Sequence, residues 1–382
     1  MSPNTNTIHH TAALVPPAWG HCVCYVHLVV QLLAADPTLV LTIIQHNSMV
    51  VMMQKEFASA EYDATRLKLV GVGSKEVKLT PMAMEMVFRE LLGGWMDFLR
   101  GSESSDWPKP RTVHIDATCG GPIVDETKTL LGADAKLLLL APFGGMSLKA
   151  NCTDYDVAAA CEEIYADEAR RKGRSKEEIA MAIGAAFNGT DALTGQVVTH
   201  PGVPDMYDHE RVSHAVGPRL AAYHILCGFQ KVARRADGYI IGTSPALEPV
   251  GVPYLRKFYR ERGQDVFAVG MQTHERKEKY GAKSARFISF GSLFFPVNQI
   301  PHVEALISVL LDISPPLPFI FALGGAMATK SLPEALIDRV NASGKGLVCQ
   351  HWVEQRAILQ HEAAGWFLTH GGYNSMTEGA CR

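Results

Sequence analysis

Two stretches of this chain alternate between strand-like and helix-like runs, and that alternation limits the fold more than any other feature. In the first, Thr11 to Pro16 is a short apolar run and Pro17 to His21 a turn. Val23 to Ala35 is long enough for a helix and apolar nearly all round. Asp36-Pro37 stops that helix, and Leu39 to Ile44 is a second, β-branched run. Strand, helix and strand in this order make a βαβ unit, which belongs in a parallel sheet with a right-handed crossover. The pattern continues with Thr112 to Asp116, a Gly-Gly turn, a helix near Val124 to Leu131, and strands at Lys136 to Ala141 and Asp237 to Thr243. It restarts at Arg286 to Phe290 with a strand, then a helix at His302 to Ile313 and a strand at Pro318 to Leu323. A helix at Leu332 to Val340, a strand at Gly346 to Gln350, a helix at Glu354 to His361 and a strand at Trp366 to Thr369 follow, and Tyr373 opens a last helix.

The expected fold class is α/β, with two doubly wound domains. A chain of 382 residues is too long for one ordinary core and suits two. The first domain is read as residues 1–245, with a mainly helical insertion at about 145–235, and the second as 285–382. Between them, 246–284 carries scattered Pro and Gly and a charged run from His274 to Ser284, and reads as an interdomain linker.

Composition removes several partners. The net charge is -3 and the pI about 6.6, so there is no basic excess to attract nucleic acid. Eight cysteines spread thinly fit a reduced, cytoplasmic setting better than a disulfide framework. Cys22-Val23-Cys24 lacks the second close pair that a zinc site needs. The opening residues do not read as a signal peptide, and Gln, His or Asp break every apolar run short of the ~20 residues of a transmembrane segment.

In doubly wound sheets, ligands bind off the carboxyl ends of the strands. In the second stretch those ends are Gly291-Ser292, Gly324-Gly325, Gln350 to Trp352 and His370 to Gly372. Glycines at 371 and 372 let a backbone approach an anion closely, and the helix that follows points free N–H groups at it. His370, Asn374, Ser375 and Ser292 add donors, Glu378 can accept from ribose hydroxyls, Gln355 offers an amide and Trp352 a flat ring. These groups suit a base, a ribose and a pyrophosphate held in a row. They equally suit a Gly-rich turn with an ordinary helix cap beside a core tryptophan, and the residues alone leave both readings open.

This tail resembles the donor-binding signature of the family 1 glycosyltransferases, the UDP-sugar-dependent enzymes of plants, fungi and animals. Trp352, Gln355, His361, His370, Gly372, Asn374, Ser375 and Glu378 carry the resemblance, with every spacing of the family pattern kept; Glu354 stands where the family has proline. The resemblance implies a GT-B fold, two Rossmann-like domains facing across a cleft, the first for the acceptor and the second for the nucleotide sugar. It implies that Trp352 stacks on uracil and that Gln355 and Glu378 hold the ribose. It implies that Ser292, His370, Gly372, Asn374 and Ser375 bind the pyrophosphate. The front of the chain, LVPPAWGH, resembles the family's opening strand, turn and Gly-His pair, which makes His21 the general base and Asp116, ending TVHID, the carboxylate that orients it. Neutral imidazole suits that task, and a helix N-terminus further disfavours its protonated form. Both residues could also serve only as helix caps.

The function implied is a hexosyltransferase moving a sugar, glucose by family expectation, from a UDP-sugar to a hydroxyl of a small lipophilic acceptor with inversion. No cofactor is expected, since the UDP-sugar is a substrate, and no Asp-x-Asp motif stands where a metal-dependent enzyme would carry one. The family's signature continues past Arg382 to an Asp-Gln pair that holds the sugar, so the second domain is expected to be incomplete and turnover weak. The alternative is a non-catalytic UDP-binding fragment. A dinucleotide-dependent oxidoreductase is disfavoured because no Gly-x-Gly-x-x-Gly follows a first strand.

Overall fold

The computed structural model describes residues 8–75, 81–101, 106–211, 219–270, 272, 285–292, 294–325 and 328–380. The chain divides into two compact units, Met1–Gln272 and Thr273–Arg382.

The first unit opens with β1 (His9–Leu14), helix α1 (Trp19–Ala35) and β2 (Leu39–His46). Then come β3 (Leu67–Val72), β4 (Thr112–Asp116), β5 (Lys136–Ala141), β6 (Val197–His200), β7 (Val203–Tyr207), β8 (Gly238–Ile241) and β9 (Asp265–Ala268). Seven of these strands form one parallel sheet in the order β3-β2-β1-β4-β5-β8-β9, and β6 and β7 form a separate antiparallel hairpin. A parallel sheet covered by helices on both faces needs apolar side chains on both, and β2 is buried at all eight positions. Alternation sorts those side chains: Ala12 and Leu14 enter one core with Trp95 and Ile115, while Ala13 and Val15 enter the other with Cys22, Tyr25 and Val29 of α1.

The second unit holds β10 (Ala285–Ser289), β11 (Phe319–Ala322), β12 (Gly346–Cys349) and β13 (Ala364–Thr369), parallel and ordered β12-β11-β10-β13. Its larger core packs Ile288, Phe321 and Val348 against the helices Ile300–Asp312 and Glu334–Ala342; a smaller one on the other face joins Phe287, Ala322 and Leu359. Each sheet reverses direction once. In the first sheet the reversal lies between β1 and β4, in the second between β10 and β13.

The structure departs from the sequence reading at the proposed linker. Residues 251–260 form a helix, and β9 adds a seventh strand to the first sheet, where Val266 pairs with Tyr239. The Pro and Gly that suggested a linker sit instead around that helix: Gly251 opens it, and Pro253 in its first turn costs no intrahelical bond. The charged run 274–284 lies outside the described residues. In the helical insertion, the hairpin β6–β7 had no counterpart in the sequence reading, nor had β3 in the stretch 52–110. The strand β3, LKLVGV, lies at the edge of its sheet and is only partly buried, so it lacks the continuous apolar run of the inner strands.

Candidate active site

Both reversals are topological switch points, where adjacent strands send their following loops to opposite faces and open a crevice at their carboxyl ends. Every sequence-predicted site residue of the first unit stands at its switch point. Leu14 pairs with Ile115, so the loop after β1 and the end of β4 emerge side by side. His21 is the third residue of α1, in the turn that follows Ala18, and Asp116 is the last residue of β4. The imidazole Nδ1 donates to Asp116 Oδ2 at 2.8 Å. Asp116 is fully buried, while 24 % of the His21 side chain stays exposed.

The second carboxylate oxygen is occupied as well. Asp116 Oδ1 accepts from the Thr118 backbone N–H at 2.9 Å and from the Thr118 hydroxyl at 2.6 Å, which also caps the short helix Ala117–Gly120. An ionised carboxylate only accepts, so the bonded Nδ1 carries the hydrogen and the neutral ring keeps its lone pair on Nε2. Burial alone would push the His21 pKa down; the Asp116 charge and hydrogen bond outweigh it and hold the imidazole above its ordinary value. The Asp116 contribution thus runs against the helix N-terminus, which was expected to disfavour the protonated form further. Asp116 and His21 do lie at the starts of two helices, but they face each other. Thr118 escaped the sequence reading, although Asp-x-Thr is a recognisable capping pattern.

In the second unit, Ser289 pairs with Thr369, so Gly291-Ser292 and His370 to Gly372 leave neighbouring strands together. The approach is close: Gly291 has φ +81°, and a Cβ there would come within 2.6 Å of the His370 ring. Ser292 is exposed, and its backbone lies against Gly325, where a Cβ would meet the Ser292 carbonyl oxygen at 2.7 Å. The Phe294 ring stacks on His370 with centroids 5.7 Å apart and planes 15° apart, a support absent from the sequence reading. Burial against these neighbours pushes the His370 pKa down, so the ring is a neutral donor near pH 7.

Trp352 is 45 % exposed, and a Cβ placed on Gly324 would stand 3.7 Å from its ring edge. Gln355 opens the helix Gln355–Gln360 and donates from Nε2 to Glu378 Oε2 at 2.9 Å and to Ser375 Oγ at 3.4 Å. Glu378 and Ser375 lie on the helix Tyr373–Ala380, whose first turn also holds a half-buried Asn374 behind Gly372. Ser375 is buried, and its hydroxyl faces Gln355. His361 ends its helix exposed, with Nδ1 accepting from the Ala363 N–H, a turn contact. Among the described residues, no group of His, Cys, Asp and Glu is arranged to hold a metal, and no helix is long and apolar enough to cross a membrane.

No family model matches the chain. It is 33 % identical over 215 residues to the UDP-glycosyltransferase eriJ of Hericium erinaceus, covering 50 % of this chain and 41 % of that protein. It is 40 % identical over 164 residues to solanidine UDP-glucose glucosyltransferase 1 of Solanum tuberosum, covering 38 % and 32 %. The matched segments thus span well under half the length of these curated relatives. Among solved structures, a UDP-glucosyltransferase of Polygonum tinctorium capable of glucosylating indoxyl aligns with TM-score 0.65 and 20 % identity, over 98 % of this chain and 78 % of that one. UGT71G1 of Medicago truncatula, complexed with UDP-glucose, aligns with TM-score 0.64 and 18 % identity over 99 % and 79 %. At these identities the structural match is one of fold. By sequence this chain is similar to UDP-glycosyltransferases over part of its length, and it has the GT-B fold of the solved ones.

Proposed function

We propose that this protein transfers a hexose, glucose in our reading, from a UDP-sugar to a hydroxyl of a small lipophilic acceptor, with inversion at the anomeric carbon. The observation that carries the reading is the His21–Asp116 pair at 2.8 Å, one ring nitrogen fixed by a buried carboxylate and the other left as a base. In the reaction, Nε2 of His21 takes the acceptor hydroxyl proton and the acceptor oxygen bonds to the anomeric carbon. The bond from that carbon to the UDP oxygen breaks, and UDP leaves with the electron pair. Asp116 stabilises the imidazolium that forms.

In the second unit, Trp352 stacks on uracil and the preformed Gln355–Glu378 pair opens to the ribose hydroxyls. Ser292, His370, Asn374 and the backbone from Gly372 to Ser375 receive the pyrophosphate at a helix N-terminus, where developing negative charge is stabilised. Glucose fits the potato relative, named a UDP-glucose glucosyltransferase. A small lipophilic acceptor fits the names of relatives that act on solanidine and anthocyanidin. A cytoplasmic setting fits the seven described cysteines, none of which forms a disulfide.

The test is a transfer assay of the purified chain with a panel of UDP-sugars and hydroxyl acceptors, with His21→Ala alongside and the anomeric configuration of the product read by NMR. Transfer with inversion, abolished in His21→Ala, is expected. A protein that binds UDP but transfers no sugar is the non-catalytic binder, and equal transfer by His21→Ala removes the base assignment.

A further inference from the structure

One helical turn behind the dyad, a second polar pair crosses the same interface and takes no part in the chemistry. Tyr25 is four residues after His21 on α1, and His114 is two before Asp116 on β4. Tyr25 Oη and His114 Nδ1 share a hydrogen bond of 2.8 Å, with the two rings edge to face at 5.9 Å and 88°. Both residues are buried, Tyr25 to 1 % and His114 to 5 % exposure.

The spacings match. Four helical residues rise about 6 Å and two strand residues about 6.6 Å, so the pairs are successive rungs between a helix and a strand that run in opposite directions. Alternation along β4 puts Val113 and Ile115 into the core that holds Trp95, which leaves His114 and Asp116 facing α1. Most other contacts of α1 with the sheet are aliphatic, with Val26, Val29 and Leu33 packed against Leu41 and Ile43; Cys22 Sγ accepts from Gln45 Nε2 of β2 at 3.2 Å, and His27 pairs with Glu56, off the sheet, at 2.8 Å. Aliphatic packing is non-directional, whereas a hydrogen bond between two rings constrains both the rotation of the helix and its position along its axis.

We propose that Tyr25 and His114 are a positioning pair that fixes the register of α1 against β4 and thereby holds His21 at bonding distance from Asp116. The proposal deepens the reading of His21 as the general base and rests on it. The pair acts through geometry, because both partners are neutral. Burial holds the His114 pKa down to about 4 and pushes that of the Tyr25 hydroxyl up. The charge that acts on His21 is that of Asp116; the buried thiols Cys22 and Cys119, which also feel it, are held protonated.

Tyr25→Phe removes the bond and leaves His114 unsatisfied. The double variant Tyr25→Phe/His114→Leu removes both polar groups, which restores burial without restoring the register device. Two readouts apply to each: kcat and KM with UDP-glucose, and the His21 pKa by imidazole NMR of the full chain. For both variants, kcat is expected to fall about 10-fold or more with the KM for UDP-glucose unchanged, since displacements near 1 Å carry such penalties. The His21 pKa is expected to drop as its contact with Asp116 lengthens. A parent-like His21 pKa and kcat in either folded variant overturns the proposal, and if Tyr25→Phe does not fold, the double variant decides. A parent chain that transfers no sugar refutes the functional reading instead, and the NMR comparison then decides the positioning role alone.

Discussion

The two switch points occupy the same place in two sheets of like topology, and the chain builds them in opposite ways. At the β1/β4 crevice, the carboxylate is fully buried, each of its oxygens is engaged, and of the pair only the imidazole is left partly open. At the β10/β13 crevice, the groups lie on turns. Gln355 holds Glu378, Phe294 supports His370, and Trp352 stands 45 % exposed. A proton acceptor must have a fixed tautomer and a tuned basicity, which demand burial. A site for a nucleotide must present many donors to a large ligand and can wait with its own groups paired together. The difference teaches that similar architecture does not impose similar rigidity: the first crevice is expected to fail in rate when altered, the second in affinity.

The largest break in that comparison should come from His21→Ala, expected to lower kcat about 10³-fold with little change in UDP affinity, checked by steady-state kinetics and calorimetric UDP titration. Asp116→Asn is expected to cost about 10²-fold, because an amide can pair with the ring in the wrong tautomer. It also carries a pH signature. Asp116 raises the His21 pKa against burial, which lowers it. The acid limb of kcat/KM should therefore lie above the ordinary histidine value of about 6.5 in the parent and move to lower pH in the variant. The sign for stability agrees. A raised folded-state pKa contributes stability that is complete below the unfolded value and lost as pH rises through the folded one. Urea midpoints measured across that interval should slope downward in the parent and flatten in Asp116→Asn.

The second crevice should answer in binding. Trp352→Ala removes the stacking face and is expected to weaken UDP about 10-fold, with kcat at saturating donor within about 2-fold of the parent. Gly291→Ala comes next. Its φ of +81° disfavours a side chain by about 1–2 kcal/mol, and the added methyl meets the His370 ring. UDP affinity should fall about 5-fold as that ring is displaced. A drop in kcat with unchanged affinity for either variant would contradict the contrast between the crevices.

Much of this was legible because parallel sheets write themselves in apolar runs. The inner strands β1, β2, β4 and β5 were readable from their apolar residues alone, and so were the strand-end turns, because glycine clusters mark close approach. What escaped did so for physical reasons. The edge strand β3 and the hairpin strands β6 and β7 are half exposed, and tertiary pairing rather than composition decides them. The strand β9 is four residues long and stands between scattered Pro and Gly and a charged run, which read as a linker, and only its pairing with β8 makes it a strand. Within the site, His21 and Asp116 are 95 positions apart, and their meeting depends on the β1–β4 register, which no local pattern reports. The sense of the His21 shift was not legible either, because it is a contest between burial and one carboxylate that only the packed geometry resolves.

The smallest expected effect tests how far the rigidity of the first crevice extends. Thr118 gives Asp116 Oδ1 two hydrogen bonds, from its backbone at 2.9 Å and its hydroxyl at 2.6 Å. Thr118→Val removes only the hydroxyl, keeps the shape and leaves the backbone donor in place. The loss is about 1 kcal/mol of stability, as for one hydrogen bond to a buried group. The carboxylate then has one donor fewer, so it pulls harder on the His21 N–H. Two consequences oppose each other: a looser carboxylate rotamer slows proton transfer, and a less satisfied carboxylate raises the His21 pKa further. The net expectation is a kcat about 2- to 5-fold lower with an acid limb at slightly higher pH, the opposite direction from Asp116→Asn, and recovery of both in Thr118→Ser. An acid limb that moved down instead would mean that the hydroxyl holds Oδ2 against the ring, and that the rigidity of this crevice is set from Thr118 rather than from the strand that carries Asp116.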